Sequence, residues 1–320
     1  MERSYEDIDI PVPWGHISGK WWGPKDRQPI LVLHGWQDNA ASFDRLAPLL
    51  PHHISLLCID MIGHGRSSHF PKGNMYYFFW DAVVMVRRIV KHFDWQKVSI
   101  LGHSRGGSIG YMYTAFYPHE VELLISLDIA YPKWEPTEKL VEETGKAVDK
   151  FLMYEQMSED ITRIPCYGYQ EMIDLVESAY NESITNDSAR ILMNRGMKPA
   201  SKKPGKFTFT RDVRLKVGST LAMIPKELSR AMAERINCAY LNIRASEGFY
   251  TPDLFYDEIL EIISKNARYF EKHTVSGKHH THLNDPSEMA EIISKFLLNN
   301  ENKQNEIFDQ NQQEKKPCLI

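Results

Sequence analysis

This 320-residue chain is poor in the features that mark stapled, membrane-spanning or nucleic-acid-binding proteins. Its four cysteines, Cys58, Cys166, Cys238 and Cys318, lie scattered, without the paired spacing of a metal site or the density of a disulfide framework. A chain of this length builds a core without staples, so a reducing compartment is expected. No run of about 18 apolar residues occurs, which excludes an ordinary membrane-spanning helix. Met1 to Asp9 holds Glu2, Glu6, Asp7 and Asp9 where a secretory leader needs a basic stretch followed by an apolar one. Lys and Arg total 38 against 42 Asp and Glu, a net charge of −4 without a long basic run, so nucleic acid is not an expected partner. A glycine-lysine-serine/threonine phosphate loop and internal repeats are also missing. The end, Cys318, Leu319 and Ile320, fits neither prenylation, which needs cysteine fourth from the end, nor the usual serine-lysine-leucine peroxisomal address. Cytoplasm is the default expectation.

What is present is an alternation of strand-like and helix-like segments from about Pro29 to Asp128, the pattern of a mostly parallel sheet flanked by helices. Ile30 to Leu33, Ile54 to Ile59, Val98 to Leu101 and Leu123 to Leu127 read as strands buried on both faces. Phe43, Leu46, Leu49 and Leu50 are spaced for a helix ended by Pro51, and Val83 to Phe93 carries a second apolar stripe. Ile8 to Gly23 reads as a leading hairpin with Gly19 near its turn. From about Tyr131 to Met232 the strand signal nearly vanishes, leaving helical spacing in Val141, Val148, Phe151 and Leu152 and in Met172, Ile173, Val176 and Tyr180. The sheet pattern resumes at Ala239 to Ile243 and Arg268 to Val275. A last helix follows Asp285 as cap, with Pro286 first, Glu288 completing the capping box and Met289, Ile292, Ile293, Phe296 and Leu297 as its stripe. The expected organisation is a discontinuous core, residues 1–130 and 233–298, a helical cap over 131–232, and a disordered tail over 299–320 rich in Asn, Gln, Glu and Lys.

The chemistry enters at Gly102, His103, Ser104, Arg105 and Gly106, a nucleophile elbow between a predicted strand and a predicted helix. Glycines two before and two after Ser104 are what let the strand and helix pass closely. A serine hydroxyl is a weak nucleophile until a base takes its proton, and the base needs an acid to fix its tautomer. His279, in the loop between Gly277 and Pro286 with His280 and His282, is the expected base; the cluster lacks the Cys or acidic set of a metal site. Glu247, past the strand Ala239 to Ile243, is the first candidate for the acid, with Asp128 as its competitor and Asp253 as a weaker one. The plain alternative for each is a solvated carboxylate or a helix cap. The backbone amides of Trp36 and Arg105 are the expected oxyanion donors, and the Arg105 side chain is set aside. Asp60 to Ser67 is expected to brace the site. Met153, Tyr154, Met157, Tyr167, Tyr169, Met172, Met193 and Met197 supply either an adaptable pocket or cap core.

These residues, in this order, resemble the α/β-hydrolase superfamily over residues 10 to 298. More narrowly, His34 to Asn39, Gly102 to Gly107, Phe209 to Asp212 and Gly277 to Pro286 resemble the serine hydrolase-like proteins of animals. The resemblance implies an α/β-hydrolase fold with an inserted helical cap, Ser104 as nucleophile, and a cytoplasmic or peroxisomal setting. Epoxide-opening and halide-displacing relatives have aspartate at the nucleophile position, so Ser104 argues against those reactions. Hydrolysis of a small or medium ester-like substrate through an acyl-enzyme is the expected activity, without metal or organic cofactor. A scaffold retained for binding, or carbon-carbon or thioester hydrolysis with the same residues, stands as the alternative.

Overall fold

A computed structural model describes residues 3–73, 79–159, 164–201, 203–217, 223–248 and 254–314, with backbone alone for 159 and 302–314. The elements in chain order are β1 (Tyr5–Val12), β2 (Gly15–Trp22), β3 (Ile30–Leu33), β4 (Leu56–Ile59), α1 (Phe79–His92), β5 (Val98–His103), α2 (Arg105–Phe116) and β6 (Val121–Leu127). Then come α3 (Thr137–Glu159), α4 (Tyr169–Ala179), α5 (Asn186–Gly196), β7 (Met197–Pro199), β8 (Phe207–Phe209) and α6 (Lys226–Ala233). The chain closes with β9 (Ala239–Glu247), α7 (Leu254–Asn266), β10 (Tyr269–Lys278), α8 (Thr281–Asn284) and α9 (Ser287–Glu314). Eight strands form the main sheet in the order β1-β2-β4-β3-β5-β6-β9-β10, parallel from β4 to β10 and antiparallel at β1 and β2.

Apolar runs without alternation make central strands because both faces of a parallel sheet are covered. In β3, Leu31 and Leu33 pack into a cluster with α1, α2, α6 and α7, while Ile30 and Val32 face a second cluster containing α9. Leu57 and Ile59 of β4, and Ile100 of β5, take the first side; Leu56, Cys58 and Leu101 take the other. Each fully buried Leu or Ile contributes about 1.5–3 kcal/mol of apolar transfer, which fixes the strand register. The three described cysteines, Cys58, Cys166 and Cys238, are free.

Local readings of the sequence needed correction at three places. The leading hairpin turns at Pro13 and Trp14, where Gly15 has φ +145, and not near Gly19. Gly19 sits mid-strand, paired to Ile8 and Ile59, because a Cβ there would lie 3.0 Å from the Cys58 carbonyl oxygen. The expected helix over Phe43 to Leu50 is two 3-10 turns, Ala40–Phe43 and Ala47–Leu49. Pro48 has no amide hydrogen to carry a helix across this stretch, although Phe43, Leu46 and Leu50 are still buried. The final helix is described as far as Glu314, beyond the end expected at Leu298, while Cys318, Leu319 and Ile320 lie outside the described residues.

Between β6 and β9 the described residues add no strand to the main sheet and form α3 to α6 with the small hairpin β7-β8. Of the helically spaced Val141, Val148, Phe151 and Leu152, Phe151 is buried beside Ala147, whereas Val141 and Leu152 are exposed. Arg195 of α5 fastens the insertion to the sheet side: its guanidinium donates to Asp60 at 2.8 and 3.0 Å, to Asp7 at 2.5 Å and to Ser18 at 3.1 Å. Asp60 also accepts from the amides of Ala40 at 2.7 Å and Arg66 at 2.8 Å, which accounts for the expected bracing role of the Asp60 to Ser67 loop. Among the described residues, no helix is long and apolar enough to cross a membrane.

Candidate active site

Ser104 stands between β5 and α2 with φ 52 and ψ −118, a conformation rare for any residue with a Cβ. Its amide donates to the Leu127 carbonyl at 3.0 Å and its carbonyl accepts from Ser108 at 3.0 Å, so the turn is tied to β6 on one side and to the helix on the other. The glycines answer a measurable crowding. A Cβ on Gly102 would lie 2.4 Å from the Gly106 backbone, and one on Gly106 would lie 2.1 Å from the Leu33 carbonyl oxygen.

Beside Ser104, a cavity of about 680 Å³ is lined from the sheet side by Trp36, Arg105 and His279, and from the insertion by Val176, Tyr180 and Phe209 among others. Of the Met and Tyr residues read as either pocket lining or cap core, none lines this cavity; Met172 and Met193 are core, buried in the cluster of α4 and α5, and Met153 faces solvent. The α4 end and the β8 exit line the cavity instead, a placement that composition does not reveal.

His279 follows β10 directly, and its Nδ1 lies 2.5 Å from Asp128 Oδ2. A carboxylate facing Nδ1 fixes the proton there and leaves Nε2 as the basic atom. Asp128 follows β6 with φ 52; its amide donates to Ile243 at 2.7 Å and its Oδ1 accepts from Ala245 at 2.9 Å. Glu247, the first candidate from sequence, is the exposed last residue of β9, opposite Lys278 in the ladder, and lines the cavity mouth without a hydrogen bond to His279. The structure therefore brings Asp128, and not Glu247, to the histidine. Asp253 lies outside the described residues.

Arg105 opens α2, where the first amides of a helix point away from the helical ladder. Trp36 lies in the loop after β3, and both residues line the cavity. The Arg105 side chain, set aside in the sequence, is a structural clamp. Its guanidinium lies 4.5 Å from the Trp36 ring centre and 4.6 Å from that of Phe79, joining the loop after β3 to the start of α1 by cation–π contact. Burial, opposed by Asp81, lowers its pKa to about 9.

Under the nucleophile runs a buried polar network that the sequence did not disclose. His103 Nε2 lies 2.9 Å from the His279 carbonyl, so it carries the hydrogen and pins the backbone of the base. Burial, with neighbouring His279 adding to it, pulls the His103 pKa down to about 3 and keeps this ring neutral. Its Nδ1 lies 3.6 Å from Asp38 Oδ2, and a Cβ on Gly35 would crowd that nitrogen at 2.9 Å. Asp38 accepts from the Tyr180 hydroxyl at 2.6 Å and lies 3.4 Å from His280 Nε2, whose Nδ1 meets Ser183 Oγ at 2.7 Å. Burial alone would raise the Asp38 carboxyl, but His280 and His103 outweigh it and hold it well below its usual range. His34, in the motif before Gly35, is also structural: Nδ1 faces the Gly35 carbonyl at 2.7 Å and Nε2 accepts from the Met61 amide at 2.9 Å. The visible signals were Asp38 within His34 to Asn39 and His103 within the elbow itself.

Asp38, His103 and His280 are also the described residues whose donor atoms cluster within 4.8 Å, the spacing of a metal site. A structural zinc site takes four protein ligands. The Ser42 hydroxyl, 3.4 Å from Asp38 Oδ2, is engaged with His282 Nε2 at 2.9 Å. Tyr180 and His280 take up the Asp38 oxygens, while His103 Nδ1 has no hydrogen-bond partner among the described residues.

A family profile described as alpha/beta hydrolase fold matches residues 28–163. The chain is 49% identical over 298 residues to a probable serine hydrolase of Drosophila melanogaster, covering 92% of this chain and 88% of that one. It is 32% identical to the human serine hydrolase-like protein 2, covering 91% of this chain and 93% of that relative. Among solved structures, the hypothetical protein PA1622 from Pseudomonas aeruginosa PAO1 superposes with a TM-score of 0.75 at 27% identity, covering 91% of this chain and 98% of its own. A thioesterase domain from the curacin biosynthetic pathway reaches the same TM-score at 17% identity, covering 92% of this chain and 99% of its own, a likeness of fold.

Proposed function

The chain belongs to the α/β-hydrolase superfamily and, within it, to the serine hydrolase-like family, and from that premise we propose that it hydrolyses a small or medium ester-like substrate through an acyl-enzyme on Ser104. The observation that carries this reading is the 2.5 Å contact of His279 Nδ1 with Asp128 in the wall of the cavity that also holds Ser104. In the proposed reaction His279 Nε2 takes the Ser104 proton as Oγ attacks the substrate carbonyl, then returns it to the leaving alcohol. Water repeats the cycle on the acyl-enzyme and releases the acid. Asp128 orients the imidazole and stabilises its transient positive charge, and the Trp36 and Arg105 amides hold the oxyanion. Residues 131–232 act as a cap that closes the apolar side of the cavity.

Fluorophosphonate labelling beside turnover of short aryl esters tests the reading. Wild type is expected to label at Ser104 and turn over, and Ser104→Ala and His279→Ala to lose both. A folded wild-type protein that neither labels nor hydrolyses any ester of the panel would leave the scaffold as a binding protein.

A further inference from the structure

Among the described residues, five charged ones line the cavity: Arg105, Lys133, Arg211, Glu247 and Lys278. Lys278 is paired with Glu182 at 3.2 Å, Lys133 with Glu135 at 3.1 Å, and Arg105 is sandwiched by Trp36 and Phe79. Arg211 differs. Among the described residues its guanidinium makes no hydrogen bond and no ion pair, and it rests 4.0 Å from the centre of the Phe209 ring. Its sequence neighbour Asp212 does not answer it, because that carboxylate is held by Arg214 at 2.7 and 3.1 Å. Asp38 contributes to the field at Arg211, but its oxygens are occupied by the Tyr180 hydroxyl and the histidine cluster.

The backbone on both sides of Arg211 is fixed. Thr210 donates its amide to Gly196 at 2.9 Å and its hydroxyl to Arg195 at 2.8 Å, and the Asp212 amide donates to Gly63 at 2.8 Å. A guanidinium carried on a pinned segment, largely removed from water and without a partner, is held ready for an anion that arrives with a ligand. The fork of an arginine suits a carboxylate, which it meets with two parallel hydrogen bonds.

Resting on the hydrolase reading above, we propose that the substrate carries a carboxylate remote from the scissile carbonyl and that Arg211 binds it. Val176, Phe209 and Tyr180 would then enclose the apolar chain between the two ends. The reaction at Ser104 is unchanged, and Arg211 confers specificity without taking part in proton transfer.

The test compares 4-nitrophenyl half-esters of succinic, glutaric and adipic acid with neutral esters of matched length. A second arm compares 4-carboxyphenyl butanoate with phenyl butanoate, which separates a carboxylate on the acyl side from one on the alcohol side. Wild type is expected to favour a charged member of one arm, and Arg211→Gln to lose about 30- to 1,000-fold in kcat/KM on that member, with neutral esters changed by less than about 3-fold. Arg211→Lys restores part of the preference. Equal losses on charged and neutral esters, or no preference for charge in wild type, would overturn the proposal and leave the hydrolase reading intact. Calorimetric titration of Ser104→Ala protein with the half-esters separates the two claims further. Arg211-dependent binding to Ser104→Ala, beside a wild type that hydrolyses none of the esters, retains the carboxylate site and defeats the hydrolase reading.

Discussion

The strands β6 and β9 are neighbours, both end in a carboxylate at the same edge of the sheet, and they deliver it to different places. β6 stops while still paired, Leu127 against Ile243, and Asp128 turns at once with φ 52. Its amide and Oδ1 are both taken up by the β9 backbone, and its Oδ2 meets His279. β9 instead runs on beside β10 as far as Glu247, which reaches solvent opposite Lys278. The difference teaches that a strand's point of arrest, and not the identity of the acid that follows it, decides which carboxylate meets the base. It is consistent with that view that Gly248 adjoins Asp128: a Cβ there would lie 2.3 Å from Oδ1.

The sharpest way to break this comparison is to exchange the roles. Asp128→Asn should lower kcat on aryl esters by about 10³- to 10⁴-fold, since the wrong histidine tautomer is then favoured. Next in size is Gly248→Ala, which should displace the Asp128 carboxylate and lower kcat by about 100-fold in a protein whose circular dichroism is unchanged. Tyr180→Phe removes the hydroxyl donor from the buried Asp38 and should destabilise the fold by about 2 kcal/mol in urea unfolding. Glu247→Gln should change kcat by less than about 3-fold, the smallest effect of the set, and a large loss there would reverse the comparison.

Acid exposes the network beneath both strands. Burial pulls the His103 pKa from 6.5 to about 3 and lowers His34, His64 and His282 in the same direction. Each ring binds a proton more readily when unfolded, so its contribution is complete above 6.5 and declines as pH falls from there, by up to about 1.4 kcal/mol per pH unit per histidine. The urea midpoint should therefore drop between pH 7 and pH 5. The depressed Asp38 carboxyl adds its own loss only below its ordinary value of 3.8.

The alternation of apolar strands, the elbow and the histidine loop were legible in the sequence because each is a local pattern: continuous apolar runs, two glycines flanking a serine, and a loop before a well-capped helix. Asp128 was legible only as an alternative, since choosing it over Glu247 requires knowing where β6 stops hydrogen bonding. Pro48 could have been read as breaking the Phe43 to Leu50 helix, because its missing amide is a property of the residue. Nothing local predicts that Tyr180 would reach Asp38, or that Arg211 would line the same cavity as Ser104. Those contacts join residues distant in sequence across the insertion, and only the folded arrangement of α4 and β8 brings them together.

The most direct test of the account is the rate of fluorophosphonate attachment to Ser104, followed by mass spectrometry in wild type, Asp128→Asn and Glu247→Gln protein side by side. The account predicts rapid labelling in wild type and Glu247→Gln and a loss of at least about 100-fold in Asp128→Asn. Slow labelling of Glu247→Gln beside rapid labelling of Asp128→Asn would contradict it.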